Sequence, residues 1–231
     1  MKKQTKNNDT LNQFNMKEYS KSQCGQDLWV LEKINKQHGY FVEAGALDGI
    51  HLSNTYMFET QFNWSGICCE PDENNFKKLV TNRSCNTNSN VLYNNTGEEI
   101  VFYQCDVLGG TKDDFEQEVN PKAQWRVEKR LEGKQIIRET ITLTDLLQKY
   151  DAPTHIDYIS LDTEGSEYKI LQGLDFDKYT VAIFSIEHNT NQRADGGEYV
   201  NKIKKMLEPH GYSFECLAHD LMCYREDLIT K

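Results

Sequence analysis

The chain has 231 residues, 38% hydrophobic and 27% charged, enough for one domain with a full core around a central sheet. Its 36 acidic side chains against 26 basic ones leave a formal net charge of -10, a field that repels nucleic acid and anionic membranes and leaves a small or uncharged substrate as the expected partner. No apolar run approaches the ~20 residues that cross a bilayer and no signal peptide is recognisable, and the 7 cysteines form no CxxC or Cys/His cluster, so free thiols in the cytoplasm are expected rather than zinc or disulfides.

Residues 1–17 are rich in Lys, Asn, Gln and Thr and read as a flexible tail ahead of a single domain over 18–231. Leu28, Trp29, Leu31 and Ile34 recur at helical spacing and predict an amphipathic helix over 22–37. A buried strand over 39–45 ends in a glycine turn. A helix over 54–61, a strand over 66–71 stopped by Pro71, and a helix over 72–80 follow. Asn94-Asn95-Thr96-Gly97 is a turn signal between 91–93 and 100–103, predicting a hairpin. Residues 106–138 are charged and weakly patterned, and read as loop and helix over the sheet edge or pocket. A short helix over 144–150 takes Thr144 as its N-cap. A third buried strand covers 156–162, and the helix over 167–172 is closed by Gly173. A fourth strand over 181–187 and a helix over 198–207 lead to a hairpin, 212–217 with 221–224. Continuous apolar strands separated by helices predict a doubly wound α/β domain, its mostly parallel sheet covered on both faces and its antiparallel hairpin at one edge.

Ligands of such a sheet bind beyond the carboxyl ends of the strands. The first strand ends in Glu43-Ala44-Gly45-Ala46-Leu47-Asp48-Gly49 and the second in Glu70. The third ends in Asp162-Thr163-Glu164-Gly165-Ser166-Glu167 and the fourth in Glu187-His188-Asn189, so every one of these ends brings a carboxylate to one rim. Gly45 lets the backbone turn and approach a ligand. Glu70 stands where a carboxylate can accept hydrogen bonds from both hydroxyls of a ribose. A dinucleotide site wants G-x-G-x-x-G against a helix N-terminus, whereas this loop has only Gly45 and Gly49, and Asp48 would repel a phosphate. A cationic adenosyl sulfonium suits the acidic rim better than NAD.

Several blocks carry a resemblance: Ser22-Gln23-x-Gly25-Gln26-Asp27, the run from Gly39 through Gly49, Ser53-Asn54-Thr55, Trp64-x-Gly66-Ile67-x-x-Glu70-Pro71, and the run from Ile156 through Glu167. In this order, over about 22–224, they resemble the FkbM-type methyltransferases. The resemblance implies an S-adenosylmethionine-binding, Rossmann-like fold with a seven-stranded sheet. It implies cofactor positions at Gln26, Glu43, Gly45, Ala46, Asp48, Ser53, Asn54, Glu70, Pro71 and Asp162, with Glu43, Gly45 and Ser53-Asn54 near the methionine end and Glu70 on the ribose. It also implies O-methylation of sugars, glycans or secondary metabolites, and residues 104–138, which match little, are expected to choose the acceptor.

An alcohol acceptor needs a base or a cation near its oxygen as the new bond forms. Asp162, Glu164, Glu187 and His188 are the candidates by strand-end position; an imidazole, with an ordinary pKa near ~6.5, suits the role. Asp162 with Glu187 could instead hold Mg²⁺ or Mn²⁺. The expected function is therefore methyl transfer to a sugar or glycan hydroxyl. Methylation of another small metabolite and a non-catalytic adenosyl-binding partner module are the rivals, and self-association stays open. Glu167 reads equally as a helix N-terminal carboxylate or a site residue. His219 and Asp220 fall in the turn of the last hairpin and read as a polar turn, or as facing the pocket if the hairpin's first strand runs parallel to the sheet.

Overall fold

The computed structural model describes residues 16–112, 120–195 and 197–229; most of the expected tail lies outside them. From the start of these residues α1 (Gln26–Lys33), β1 (Tyr40–Ala44), α2 (Tyr56–Phe62), β2 (Ser65–Cys69), α3 (Glu73–Asn82) and β3 (Asn86–Asn88) alternate helix with strand. A block richer in strand follows: β4 (Val91–Tyr93), β5 (Glu99–Gln104), β6 (Gly110–Thr111), α4 (Gln124–Leu131) and β7 (Lys134–Thr142). Alternation resumes with α5 (Leu143–Lys149), β8 (His155–Leu161), α6 (Glu167–Gln172), β9 (Thr180–Glu187) and α7 (Glu198–Leu207), before β10 (Ser213–Leu217) and β11 (Asp220–Tyr224).

The main sheet has 7 strands in the order β10-β11-β9-β8-β1-β2-β3. The strands from β9 to β3 pair in parallel, and β11 runs antiparallel to both β9 and β10. This is the expected Rossmann-like arrangement. Alternate side chains of each strand enter opposite faces. Phe41, Cys68, Tyr158 and Ile183 pack with Val30 and Leu31 of α1 and Met57 and Phe58 of α2. Val42, Ile67, Ile159 and Phe184 pack with Leu143 and Leu146 of α5, Ile170 of α6 and Ile203 of α7. Both faces are thus largely apolar, which is why these strands read as nearly continuous hydrophobic runs. Each fully buried Leu, Ile or Phe among them contributes about 1.5–3 kcal/mol of hydrophobic stabilisation.

The expected hairpin over 91–103 is not formed. Its turn exists, with Gly97 at φ 86°, but β4 and β5 part to flank β7: β4 pairs with β7 in parallel and β5 antiparallel, giving a second sheet of 4 strands, β4-β7-β5-β6. The intervening strand is hidden in the sequence pattern because Lys134, Gln135 and Glu139 share its exposed positions with the apolar Ile137, while Ile136, Thr140 and Ile141 are buried. The helix before β8 is capped by Thr142, whose hydroxyl accepts from Asp145 N at 3.0 Å; Thr144 instead donates to Gly173 O at 2.8 Å. The first helix begins only at Gln26, because Asp27 is bound by Ser20 Oγ (2.8 Å) and Ser22 Oγ (2.6 Å) of a non-helical lead-in.

Candidate active site

Parallel pairing opens the carboxyl ends of β1, β2, β8 and β9 on one rim. A cavity of about 250 Å³ lies there. Ala44, Gly45, Cys69, Ser160, Asp162 and Glu187 line its base, while Val91, Leu92, Phe102 and Thr111 of the second sheet form the opposite wall.

Gly45 has φ 82°, and a Cβ there would sit 1.8 Å from the main-chain oxygen of Asp162. Only glycine permits the β1 loop and the β8 end to approach this closely. Glu70 is 4% exposed. Its Oε2 accepts from Leu47 N and its Oε1 from Asp72 N, both at 2.8 Å. Burial pushes its pKa up to about 8 against the pull of those two bonds.

Glu43, also buried, is spent on the loop after β1. It accepts from Ser53 Oγ (2.8 Å), Asn54 N (2.6 Å) and Thr55 Oγ1 (2.6 Å), and pairs with Arg83 Nη1 at 3.3 Å. Arg83 bonds Glu59 at 2.6 Å and Gly49 O at 3.1 Å in the same network. This holds Asn54 in the cavity wall, where Nδ2 donates to Ser160 Oγ at 2.9 Å and Oδ1 is buried without a hydrogen-bond partner among the described residues.

At the next strand ends the carboxyls of Asp162 and Glu187 lie side by side at the cavity, each acting on the other. Burial, then the neighbouring Glu164 and Asp220, pushes Asp162 up to about 8. Burial and then Asp162 hold Glu187 well above the usual carboxylate range. Two carboxyls in contact in this environment do not both ionise, so the pair carries a proton. Among the described residues no group of three or more His, Cys, Asp or Glu is arranged to hold a metal; the expected Asp162–Glu187 metal pair lacks a third ligand. Glu164, the third carboxylate expected to act chemically, is engaged by two guanidiniums: Arg126 Nη2 reaches both its oxygens (2.7 and 2.6 Å) and Arg130 Nη2 lies at 2.9 Å. Glu167 holds the loop after β8. Its Oε1 accepts from Thr163 N, Thr163 Oγ1 and Gly165 N, each at 3.0 Å, and its Oε2 from Tyr199 OH at 2.7 Å.

Five expected site residues do not line the cavity. His188 turns away, its Nδ1 bonded to Thr190 Oγ1 at 2.8 Å, and burial lowers its pKa. Gln26 is tied to Asp220 Oδ2 at 2.7 Å and to Cys24 N at 2.9 Å, behind the rim. Asp48 folds back on its own loop, accepting from Ile50 N at 3.0 Å and His51 N at 2.7 Å. Ala46 and Ser53 are buried behind the wall. Glu43, Gly45, Asn54, Glu70, Pro71, Asp162, Glu164 and Glu187 do meet at the cavity. Gln23, Asn90, Arg126, Gln192 and His219 line it as well. The turn carrying His219 reaches the rim because β10 runs parallel to β9, the alternative to a simple polar turn. Nothing in the sequence pattern marks Asn90 or Arg126, which come from the link between β3 and β4 and from α4.

The methyltransferase FkbM domain matches residues 43–214, from the Glu43 network to β10. The chain belongs to the FkbM methyltransferase family. Membership implies S-adenosylmethionine as the methyl donor. Methyltransferase FkbM from Methylobacillus flagellatus KT shares the fold, with a TM-score of 0.50 and 15% identity; the match covers 81% of this chain and 43% of that one, so this FkbM domain spans less than half the length of that protein. A methyltransferase from Pyrococcus furiosus aligns at a TM-score of 0.42 and 14% identity over 85% of this chain and 80% of that one. No curated protein matches the sequence. Among the described residues of the FkbM domain, no helix is long and apolar enough to cross a membrane.

Proposed function

We propose that this FkbM domain transfers the methyl group of S-adenosylmethionine to a hydroxyl of a sugar or glycan, with the Asp162–Glu187 carboxyl pair as the base. The observation that carries the reading is that proton-sharing pair, at a cavity whose other end holds Glu70. The residues present suit the donor. Glu70 has accepting capacity left for ribose hydroxyls, Asn54 Oδ1 offers a buried, unused acceptor to the ammonium of the methionine end, and Gly45 lines the cavity with them. When bound, S-adenosylmethionine supplies a methyl group already activated on a positively charged sulfur.

The chain's own work is then alignment, exclusion of water and removal of one proton. An alcohol ionises far above neutral pH, so a carboxylate with its pKa raised toward the working pH is a better base than an ordinary one. Asp162 is so placed. Thr163, Asn189, Gln192 and His219 line the cavity near that pair and suit a polyhydroxylated acceptor.

Calorimetric titration with S-adenosylmethionine and S-adenosylhomocysteine, then methyl transfer to sugar acceptors, tests the reading. Asp162→Asn is expected to lower turnover by about 10²–10⁴ while S-adenosylhomocysteine affinity stays within a few-fold. Loss of affinity with turnover per bound donor unchanged would remove Asp162 from the role of base.

A further inference from the structure

Ser160 of β8 stands in register with Glu43 of β1 and lines the cavity beside Asn54. It is 1% exposed. A serine hydroxyl has two accepting lone pairs and one hydrogen to give. Both lone pairs are taken here: Oγ accepts from Asn54 Nδ2 at 2.9 Å and from Ser185 Oγ at 3.3 Å. Ser185 uses its one hydrogen in that bond. The fully buried phenol of Tyr158, 2.7 Å from Ser185 Oγ, is therefore the donor to Ser185. The hydroxyls run one way, from Tyr158 through Ser185 to Ser160. The Ser160 hydrogen is left over, with no acceptor among the described residues.

Asn54 has the opposite lack. Its Nδ2 is committed to Ser160, its backbone N–H to Glu43, and its Oδ1 is buried with no donor among the described residues. An unused donor and an unused acceptor thus stand side by side at the base of the cavity, and buried polar groups of this kind take partners from whatever fills it. Their complement is a ligand end that accepts and donates from neighbouring groups, as an α-amino acid does through its carboxylate and ammonium. Position agrees. Glu70 follows β2 and Ser160 belongs to β8, with β1 between those strands. Two strand spacings, about 10 Å, therefore separate the ribose end from this pair, and the sulfur-containing chain of S-adenosylmethionine bridges a gap of that order.

We propose that Ser160 donates its hydroxyl hydrogen to the carboxylate at the methionine end of the cofactor, the Tyr158–Ser185 chain fixing the direction of that donation, while Asn54 Oδ1 takes the ammonium. This rests on the methyl-transfer reading of the cavity. A hydrogen bond to an ionised acceptor is stronger than one to a neutral atom, so Ser160 makes the site select adenosyl ligands that keep the carboxylate.

The test compares, by calorimetry on the full chain, S-adenosylhomocysteine with its decarboxylated counterpart, S-adenosyl-3-thiopropylamine, which differs in the carboxylate alone. The parent protein is expected to prefer S-adenosylhomocysteine by about tenfold or more. Ser160→Ala is expected to reduce that preference by about tenfold. The preference is the readout, not the absolute affinity, because alanine also removes the acceptor of Asn54 Nδ2 and so acts on both ligands. Ser160→Cys, close in shape and a weak donor, is the second variant, with a fall in the same direction. 5′-Deoxy-5′-methylthioadenosine, which lacks both amino-acid groups, is expected to bind the parent and both variants equally well. Equal affinity of the parent for the two larger ligands, or an unchanged preference in the variants, overturns the proposal and leaves Ser160 as a support for Asn54. Failure of the methyl-transfer reading is seen separately, as a parent protein that binds none of the three adenosyl ligands.

Discussion

Replacing Glu70 by Gln separates the cost of burying a charge from the use made of it. Burial raises this carboxyl from 4.5 to about 8, and each unit is worth about 1.4 kcal/mol, so the charged form costs the folded protein at most about 5 kcal/mol before relaxation reduces it. Because the folded pKa lies above the unfolded one, the folded state binds more protons between about pH 4.5 and 8. Stability is therefore greatest below that window, falls as pH rises through it and levels off above it. Glutamine removes the charge but can accept through only one atom, so Leu47 N or Asp72 N loses its bond, a cost of about 1–3 kcal/mol. The protonated acid carries the same handicap, so the two proteins should differ little at pH 5. By pH 9 the Gln variant should have gained a few kcal/mol on the parent. Urea unfolding at several pH values between these limits measures the difference, and parallel curves would refute the argument. If ribose hydroxyls donate to the ionised carboxylate, S-adenosylhomocysteine affinity of the parent should climb with pH, by up to about tenfold per unit, until about pH 8. The Gln variant should lack that part of the rise.

Gly45→Ala should destabilise the fold by roughly 3 kcal/mol or more, since the added carbon meets a backbone oxygen and not a side chain that can yield; a loss under 1 kcal/mol in urea unfolding would mean the two loops separate freely. Arg83→Met should cost about 3–5 kcal/mol by leaving Glu43 and Glu59 without their buried partner, and should weaken S-adenosylhomocysteine binding through the 49–55 loop. Unchanged affinity in a stable Arg83→Met protein would show that Asn54 holds its place without that network.

The main sheet was legible because its physics is local. A strand covered on both faces needs a largely apolar run, and Phe41-Val42, Ile67-Cys68-Cys69, Ile156 to Leu161 (broken by Asp157 and Ser160) and Val181 to Ile186 (broken by Ser185) each provide one. Parallel pairing then brings the residues after those runs to one rim, so Gly45, Glu70, Asp162 and Glu187 could be placed at the cavity before any coordinate was known. The second sheet obeys no such rule. One face of β7 meets solvent, its pattern is diluted by charge, and its partners were assigned to each other by a turn that does exist.

Side-chain roles divide along the same line. Residue type and strand position determined which carboxylates reach the rim. Tertiary packing alone decided their uses: Glu43 is neutralised by an arginine forty positions away in the chain, Glu164 by two from α4, Glu167 by loop amides and a tyrosine of α7, while Asp162 and Glu187 are left with each other. A carboxylate's chemistry follows from the partners that fold around it, and those partners are distant in sequence. The Asp162–Glu187 end of the cavity, lined by residues of α4 and of loops that meet only in the folded chain, was for that reason set by the tertiary structure.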